Sequence, residues 1–279
     1  MSKVKIVTDS SCNLEPGLAE KLNIELVSLA VMIDGVIYKD SELSGSQFMT
    51  MMYDAAALPK TSQPPIGEFV ELYDQLGADG SQIISIHMNE ILSGTVHAAH
   101  QAAQISKSDV TVIDSKFTDQ GLGFQVLAAA ELAQAGGTKE EVIAKVNQVK
   151  DNSLLYIGVA SLDNLVKGGR ISRATGVLSN IFNIRVVMQL LDGELVTLTK
   201  GRGMKAFTKW FEETKSEISK MGNVKKIAIT HADGIETAIK FKEGLQELFP
   251  TMHIPILDAS STVATHTGKG AFAVMLYTE

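Results

Sequence analysis

The chain has 279 residues, 45% of them hydrophobic and 20% charged, with a formal net charge of -7 and a single cysteine, Cys12. That length can bury a large core and suits two domains, while the negative balance argues against broad nucleic-acid contact, which needs a basic face. One thiol excludes an intramolecular disulfide, so a reducing cytoplasm is the expected compartment.

A β-branched run over 4–8 reads as a strand ending at Asp9-Ser10-Ser11. A helix is predicted over 16–22, with Pro16 near its first turn. Apolar segments 26–33 and 36–38 flank Asp34-Gly35, a hairpin signal because a type I′ turn needs positive φ. Ser44 caps a helix to about 56, and after the Thr61 segment 66–76 reads helical. A strand over 83–87, Ser93 as cap, an Ala-rich helix over 96–105 and a strand over 110–113 follow. The next helix stops at Gly136-Gly137, and Thr138 with Glu141 forms a capping box for another. Alternating strand and helix implies a parallel α/β sheet, so a first domain is expected over 1–155.

The remainder, 156–279, reads as a second, mixed-sheet α/β domain. Its elements are a strand over 154–160, a short helix over 162–167 closed by Gly168-Gly169, and a hairpin of 185–191 and 194–199 about Asp192-Gly193. A helix over 205–221 turns Phe207, Trp210 and Phe211 inward. Residues 226–230, a helix to about 248 and 254–257 form a βαβ unit whose last strand Pro255 confines to a sheet edge. The final strand is 271–277. The longest apolar stretches are far short of a membrane span, and Met1-Ser2-Lys3-Val4-Lys5 enters a strand with no secretory h-region. Any membrane contact is therefore expected to be transient.

Three hydroxyl-bearing motifs stand out: Thr61-Ser62-Gln63-Pro64-Pro65, Ser93-Gly94-Thr95 and Thr265-His266-Thr267-Gly268. Ser93 is explained by capping alone, yet a helix start also favours an anion, and Gly94 lets a ligand come close. The proline pair holds Thr61 and Ser62 extended. His266 either donates to a carboxylate or serves a polar turn. These neutral donors without an adjacent carboxylate base suit gripping a small anion better than cleaving a bond. The rival reading is a stand-alone hydrolase or phosphotransferase using His266 with Ser93 or Asp9.

Asp9-Ser10-Ser11-Cys12 lacks the second Asp of an aspartyl-phosphate enzyme, and Leu18 stands where a phosphatase-type Cys loop needs Arg. Neither a Walker A nor a dinucleotide fingerprint is present, and the histidines have no zinc-ligand spacing. No metal or cofactor is expected. Arg170 and Arg173 after the Gly168-Gly169 turn, and Arg202 beside Lys200 and Lys205, are candidates for carboxylate recognition or partner docking, or simply surface charge.

The segments Ile6-Val7-Thr8-Asp9-Ser10-Ser11-Cys12-Asn13-Leu14, Thr61-Ser62-Gln63-Pro64, Ser93-Gly94-Thr95, Gly168-Gly169-Arg170-Ile171 and Thr265-His266-Thr267-Gly268 occur in an order that resembles the DegV family, end to end. Within it the chain is similar to the fatty-acid-binding subunits of bacterial fatty acid kinase. The resemblance implies two α/β domains with one long-chain fatty acid between them. It implies a carboxylate network carried by Thr61, Ser93 and His266, with Ser62, Gly94, Thr95 and Thr265 around it and Arg170 tuning or gating it. It further implies a separate ATP-dependent kinase subunit that phosphorylates the bound carboxylate for phospholipid synthesis, the chain itself being no enzyme. Arg185-Val186-Val187-Met188 departs from relatives in lacking a Lys-Pro pair.

Overall fold

The computed structural model describes residues 3–171 and 184–279. Their contacts divide into two compact units: the described residues of Met1–Ala30, Lys39–Ser41 and Ser62–Ser153, and those of Val31–Tyr38, Glu42–Thr61 and Leu154–Glu279. The second unit thus includes two early segments that a single linear division at 155/156 leaves with the first.

The first unit is built on β1 (Val4–Asp9), β2 (Ile24–Val27), β6 (Gln82–His87) and β7 (Val110–Asp114), in the order β2-β1-β6-β7. Every pairing is parallel, as the strand–helix alternation implied. Successive side chains of a strand face opposite ways. On β1, Val7 accordingly packs with Phe69 and Tyr73 of α3 (Ile66–Gly77) and Ala98 and Ala102 of α4 (Thr95–Ile105). Its neighbour Ile6 packs with Leu122 and Val126 of α5 (Asp119–Gln134) and Val142 and Val146 of α6 (Lys139–Asp151). The predicted capping box of α6 is present, Thr138 Oγ1 accepting from Glu141 N and Glu141 Oε2 from Thr138 N. Gly136, at φ 86, supplies the left-handed residue that ends α5.

Two local expectations change. The predicted helix at 16–22 is only α1 (Leu18–Lys21), because Gly17 at φ 81 precedes it and leaves Pro16 outside. The apolar segment 26–33 is two strands, β2 ending at Val27 and β3 (Ala30–Ile33) beginning after Leu29. Leu29 N donates to Ser10 Oγ at 3.1 Å and Leu29 O accepts from Asp40 N at 2.8 Å, which diverts its backbone from a continuous ladder.

The second unit holds β8 (Ser153–Val159), β9 (Ile184–Leu191), β10 (Glu194–Arg202), β11 (Val224–Ala232), β12 (Ile256–Asp258) and β13 (Ala271–Thr278). Their order is β10-β9-β8-β13-β11-β12. The sheet is mixed: β9–β10 and β11–β13 are antiparallel and β11–β12 parallel. Asp192 and Gly193, at φ 50 and 86, make the predicted hairpin turn, and Pro255 leads into the edge strand β12. A small sheet β4-β3-β5 adds β4 (Val36–Lys39) and β5 (Lys60–Ser62), and α2 (Gly45–Asp54) starts at a Ser44–Gln47 capping box.

Aromatic packing dominates this unit's core. Phe211 of α8 (Met204–Ile218) stacks on Phe241 of α9 (Ile235–Leu248) at 4.2 Å, and Phe272 of β13 lies 4.8 Å from both Phe207 and Phe241. Phe241→Ala should cost about 3–5 kcal/mol. Urea unfolding followed by Trp210 fluorescence tests this directly, since Trp210 is the sole tryptophan and sits 6.0 Å from Phe241.

Candidate functional site

In the second unit, the segment read as a polar turn at 265–268 is the end of a helix, α10 (Ser261–Thr267). Ser260 caps it by accepting from Val263 N at 3.3 Å, and Gly268 at φ 73 terminates it. The sequence carries that signal as a serine three residues ahead of Val263, masked by the run of threonines. Thr265 and Thr267 donate to the carbonyls of Ser261 and Val263 at 2.8 and 3.1 Å, so each hydroxyl proton is used within the helix. His266 points elsewhere, its Nε2 3.0 Å from Thr61 Oγ1 of β5.

The imidazole is held by close packing. Gly168 lies just after α7 (Asp163–Lys167), and a Cβ there would stand 2.2 Å from His266 Nδ1. Its φ of -77 is ordinary, so the site needs Gly168 for space and not for backbone freedom. Asn164 Nδ2 donates to Thr265 O at 2.9 Å, tying α7 to α10. Arg170 Nη1 donates to Gly168 O at 2.7 Å, which sets a half-buried guanidinium beside the histidine.

Burial, reinforced by the Arg170 charge, lowers the His266 pKa to about 4, so the ring is neutral near pH 7. His266 Nδ1 is buried without a hydrogen-bond partner. An orphaned N–H is rarer than an under-satisfied acceptor, so we assign the proton to Nε2. Nε2–H then donates to Thr61, and the Thr61 hydroxyl proton remains for an outside acceptor. Ser62, the last residue of β5, is exposed.

The first unit, taken by itself, holds a hydroxyl pair of its own. Ser93 Oγ lies 2.8 Å from Thr95 Oγ1 and accepts from Thr95 N at 3.3 Å. The cap position of α4 belongs to Gly94, without a side-chain hydrogen bond, so Ser93 braces the helix start from one residue earlier than a cap. The space at Gly94 is taken by Gln63, whose Oε1 would lie 1.9 Å from an added Cβ. Gly94 therefore admits a side chain of its own fold.

Asp9 is not available to chemistry. It is fully buried, and its carboxylate accepts from Ser11 N, Ser11 Oγ, His87 Nδ1 and Met88 N. Cys12 is also buried, which raises its thiol pKa and leaves it unreactive. The chain Asp9–His87–Ser85 escaped the sequence reading, in which His87 figured only in excluding zinc. Its signal was the spacing of two that puts Ser85 and His87 on one face of β6. Arg202 is exposed at the end of β10, and Arg173 lies outside the described residues. Among the described residues no cluster of three potential metal ligands occurs, and no helix is long and apolar enough to cross a membrane.

Residues 3–279 match the family described as "Uncharacterised protein, DegV family". The chain belongs to the DegV family. It is 50% identical over 274 residues to the DegV domain-containing protein YejH of Lactococcus lactis, covering 98% of each chain. The structure resembles DegV, a fatty acid binding protein from Bacillus subtilis, with TM-score 0.90 and 29% identity over 100% of both chains. It also resembles the Streptococcus pneumoniae fatty acid kinase (Fak) B3 protein loaded with linoleic acid, with TM-score 0.83 and 25% identity over 100% of both. The combination of a parallel and a mixed sheet is the fold of these DegV proteins.

Two measurements check the imidazole setting. Gly168→Ala should displace the ring and move the His266 pKa from about 4 toward the ordinary 6.5, read by NMR titration. The depressed pKa also predicts acid sensitivity. Between pH 6.5 and about 4 the unfolded chain binds a proton that the folded one does not, so stability falls as pH falls through that window. His266→Gln should flatten this stability–pH slope, by at most about 3 kcal/mol across it.

Proposed function

We propose that the chain binds one long-chain fatty acid and presents its carboxylate to a separate ATP-dependent kinase subunit, which phosphorylates it to an acyl-phosphate for phospholipid synthesis. The observation that carries this reading is the neutral, buried His266 hydrogen-bonded to Thr61, in a DegV protein whose solved relatives include fatty-acid-binding proteins. A carboxylate taken from water must find hydrogen bonds. Thr61 offers a proton backed by His266, and Ser93 with Thr95 offers a further hydroxyl pair at a helix start. Arg170 adds positive charge next to His266 and favours an anionic head group. An acyl chain gains about 0.8 kcal/mol per CH₂ buried, so affinity comes from the tail and selectivity from the head.

Presentation differs from catalysis in what the protein withholds. The nucleophile is the fatty acid's own carboxylate oxygen, which attacks the terminal phosphorus of ATP while ADP leaves. This chain need only hold that oxygen. The partner contact is assigned to the exposed basic end of β10, where Arg202 follows Lys200 and precedes Lys205. The hydrolase alternative gains nothing from Asp9, sealed in its carboxylate network.

Denaturing mass spectrometry of the purified protein should release fatty acid, and an empty protein that also ignores added fatty acid would defeat the proposal. Thr61→Ala or His266→Ala should weaken fatty-acid binding about tenfold to a hundredfold, the value of one hydrogen bond to a charged group. Arg202→Glu should lower phosphorylation by a fatty acid kinase subunit while leaving bound lipid unchanged. Turnover of ester or phosphate substrates by the isolated chain, lost in His266→Ala, would instead establish the hydrolase.

A further inference from the structure

Asp9 closes β1 as a carboxylate with hydrogen bonds of 3.1 Å from Ser11 N, 2.5 Å from Ser11 Oγ, 3.0 Å from His87 Nδ1 and 2.9 Å from Met88 N. A carboxylate offers about four lone-pair sites, so Asp9 is saturated and has no room for a proton of its own. The bond from Nδ1 makes that nitrogen of His87 the donor. Its Nε2 is 2.6 Å from Ser85 Oγ, and Ser85 Oγ is 2.7 Å from the Tyr73 hydroxyl.

Only one proton arrangement satisfies this line. If Nε2 also carried a proton, Ser85 would have to donate to Tyr73, and the phenol proton would have no acceptor in a buried site. With Nε2 as acceptor, Tyr73 donates to Ser85, Ser85 to His87 and His87 to Asp9. Tyr73, Ser85, His87 and Asp9 are each fully buried, and the Phe69 ring meets the imidazole edge-on at 5.2 Å. The order Ser–His–Asp is that of a hydrolase triad, but no substrate can reach it.

The far end of this line leads to Ser93. Met88 N is fixed on Asp9, and the following residue, Asn89, is fully buried. Asn89 N donates to Phe117 O at 2.8 Å, and its Oδ1 accepts from Ile91 N at 2.8 Å. Its carbonyl accepts from Leu92 N at 3.0 Å and Ser93 N at 3.1 Å. The β6–α4 connection therefore leaves the sheet in a conformation determined at Met88 and Asn89, and the Ser93–Thr95 pair follows from it.

We propose that Tyr73–Ser85–His87–Asp9 is a buried positioning relay that fixes the Ser93–Thr95 hydroxyl pair, and through it the protein's preference for a carboxylate over an uncharged head group. This rests on the reading that the pair helps to hold a fatty-acid carboxylate. No relay member touches the ligand; each acts through Met88 and Asn89.

The test uses the full chain with Tyr73→Phe, which removes one hydroxyl, and His87→Asn, whose amide can donate to Asp9 without reaching Ser85. Backbone amide NMR shifts are recorded for Ser93, Gly94 and Thr95, and affinities are measured for palmitic acid and for hexadecanol. Both substitutions should shift those amides, His87→Asn more than Tyr73→Phe. His87→Asn should cut the acid-over-alcohol preference about tenfold, the worth of a hydrogen bond near 1.4 kcal/mol, with hexadecanol affinity unchanged. Should His87→Asn fail to fold, Tyr73→Phe alone should still shift the amides and lower the preference. Unmoved amides, or acid and alcohol affinities falling together, would overturn the relay and leave only general loosening. A wild-type protein that binds acid and alcohol alike refutes the carboxylate reading itself, and the preference falls with it. The relay's hold on Ser93–Thr95 is then judged by the amide shifts alone.

Discussion

A neutral imidazole kept in a site that strips its water is the constraint on which the candidate site depends. His266 keeps its ring uncharged because burial penalises the cation and Arg170 repels it. That neutrality leaves one N–H, which the unpartnered burial of Nδ1 assigns to Nε2, toward Thr61, with Nδ1 left against Gly168. The surrounding features follow from it. Gly168 has no side chain because the ring occupies that space, Asn164 ties the two short helices together, and Gly268 ends α10 one residue after Thr267. A contact between residues 205 apart in sequence is thereby held to hydrogen-bond length.

The first unit solves a related problem by the opposite means. Its most deeply buried acidic group, Asp9, has no exposure, and burying an ion is tolerable only when hydrogen bonds replace water. Four donors from the turn after β1 and from the end of β6 supply them. These donors come from two strand ends on the carboxyl-terminal edge of a parallel sheet, where α/β folds place their ligands. A saturated carboxylate there is a structural anchor for loops, which explains how an acidic group can sit at that edge without performing acid–base work.

Much of the fold was legible because its signals are local. Asp34-Gly35 and Asp192-Gly193 made their hairpins, Thr138 with Glu141 its capping box, and Gly136 its helix end, each by chemistry contained within a few residues. Where backbone groups were claimed from afar, reading failed. The break at Leu29 depends on Ser10 and Asp40, neither of which the pattern of 26–33 reveals. The α10 helix was hidden because Thr265 and Thr267 resemble turn residues until their hydroxyls are seen bonded to the preceding turn. At the candidate site, the family resemblance put Thr61 and His266 in one network, but their direct hydrogen bond had no local signal, since no short-range pattern links an edge strand to a late helix. The Tyr73–Ser85–His87–Asp9 line was unreadable for the same reason: its members come from a helix and two strands, and each taken singly passes for core.

The contrast between the two polar centres bears on what the proposed carrier of a fatty acid requires. A lysine or arginine in full contact would bind a carboxylate more strongly, but it would also draw charge from the oxygen that must attack phosphorus. A hydroxyl backed by a neutral imidazole holds the same oxygen by a single weaker hydrogen bond and leaves most of its charge in place. Arg170 lowers the His266 pKa from beside it, and its own guanidinium is turned in part to the Gly168 carbonyl. In the proposed role, positive charge biases the site toward anions from a distance, while the donor offered to the carboxylate is uncharged. Under the proposed role, that division keeps the carboxylate both bound and nucleophilic, and a clamp built from stronger ion pairs would gain affinity at the expense of transfer.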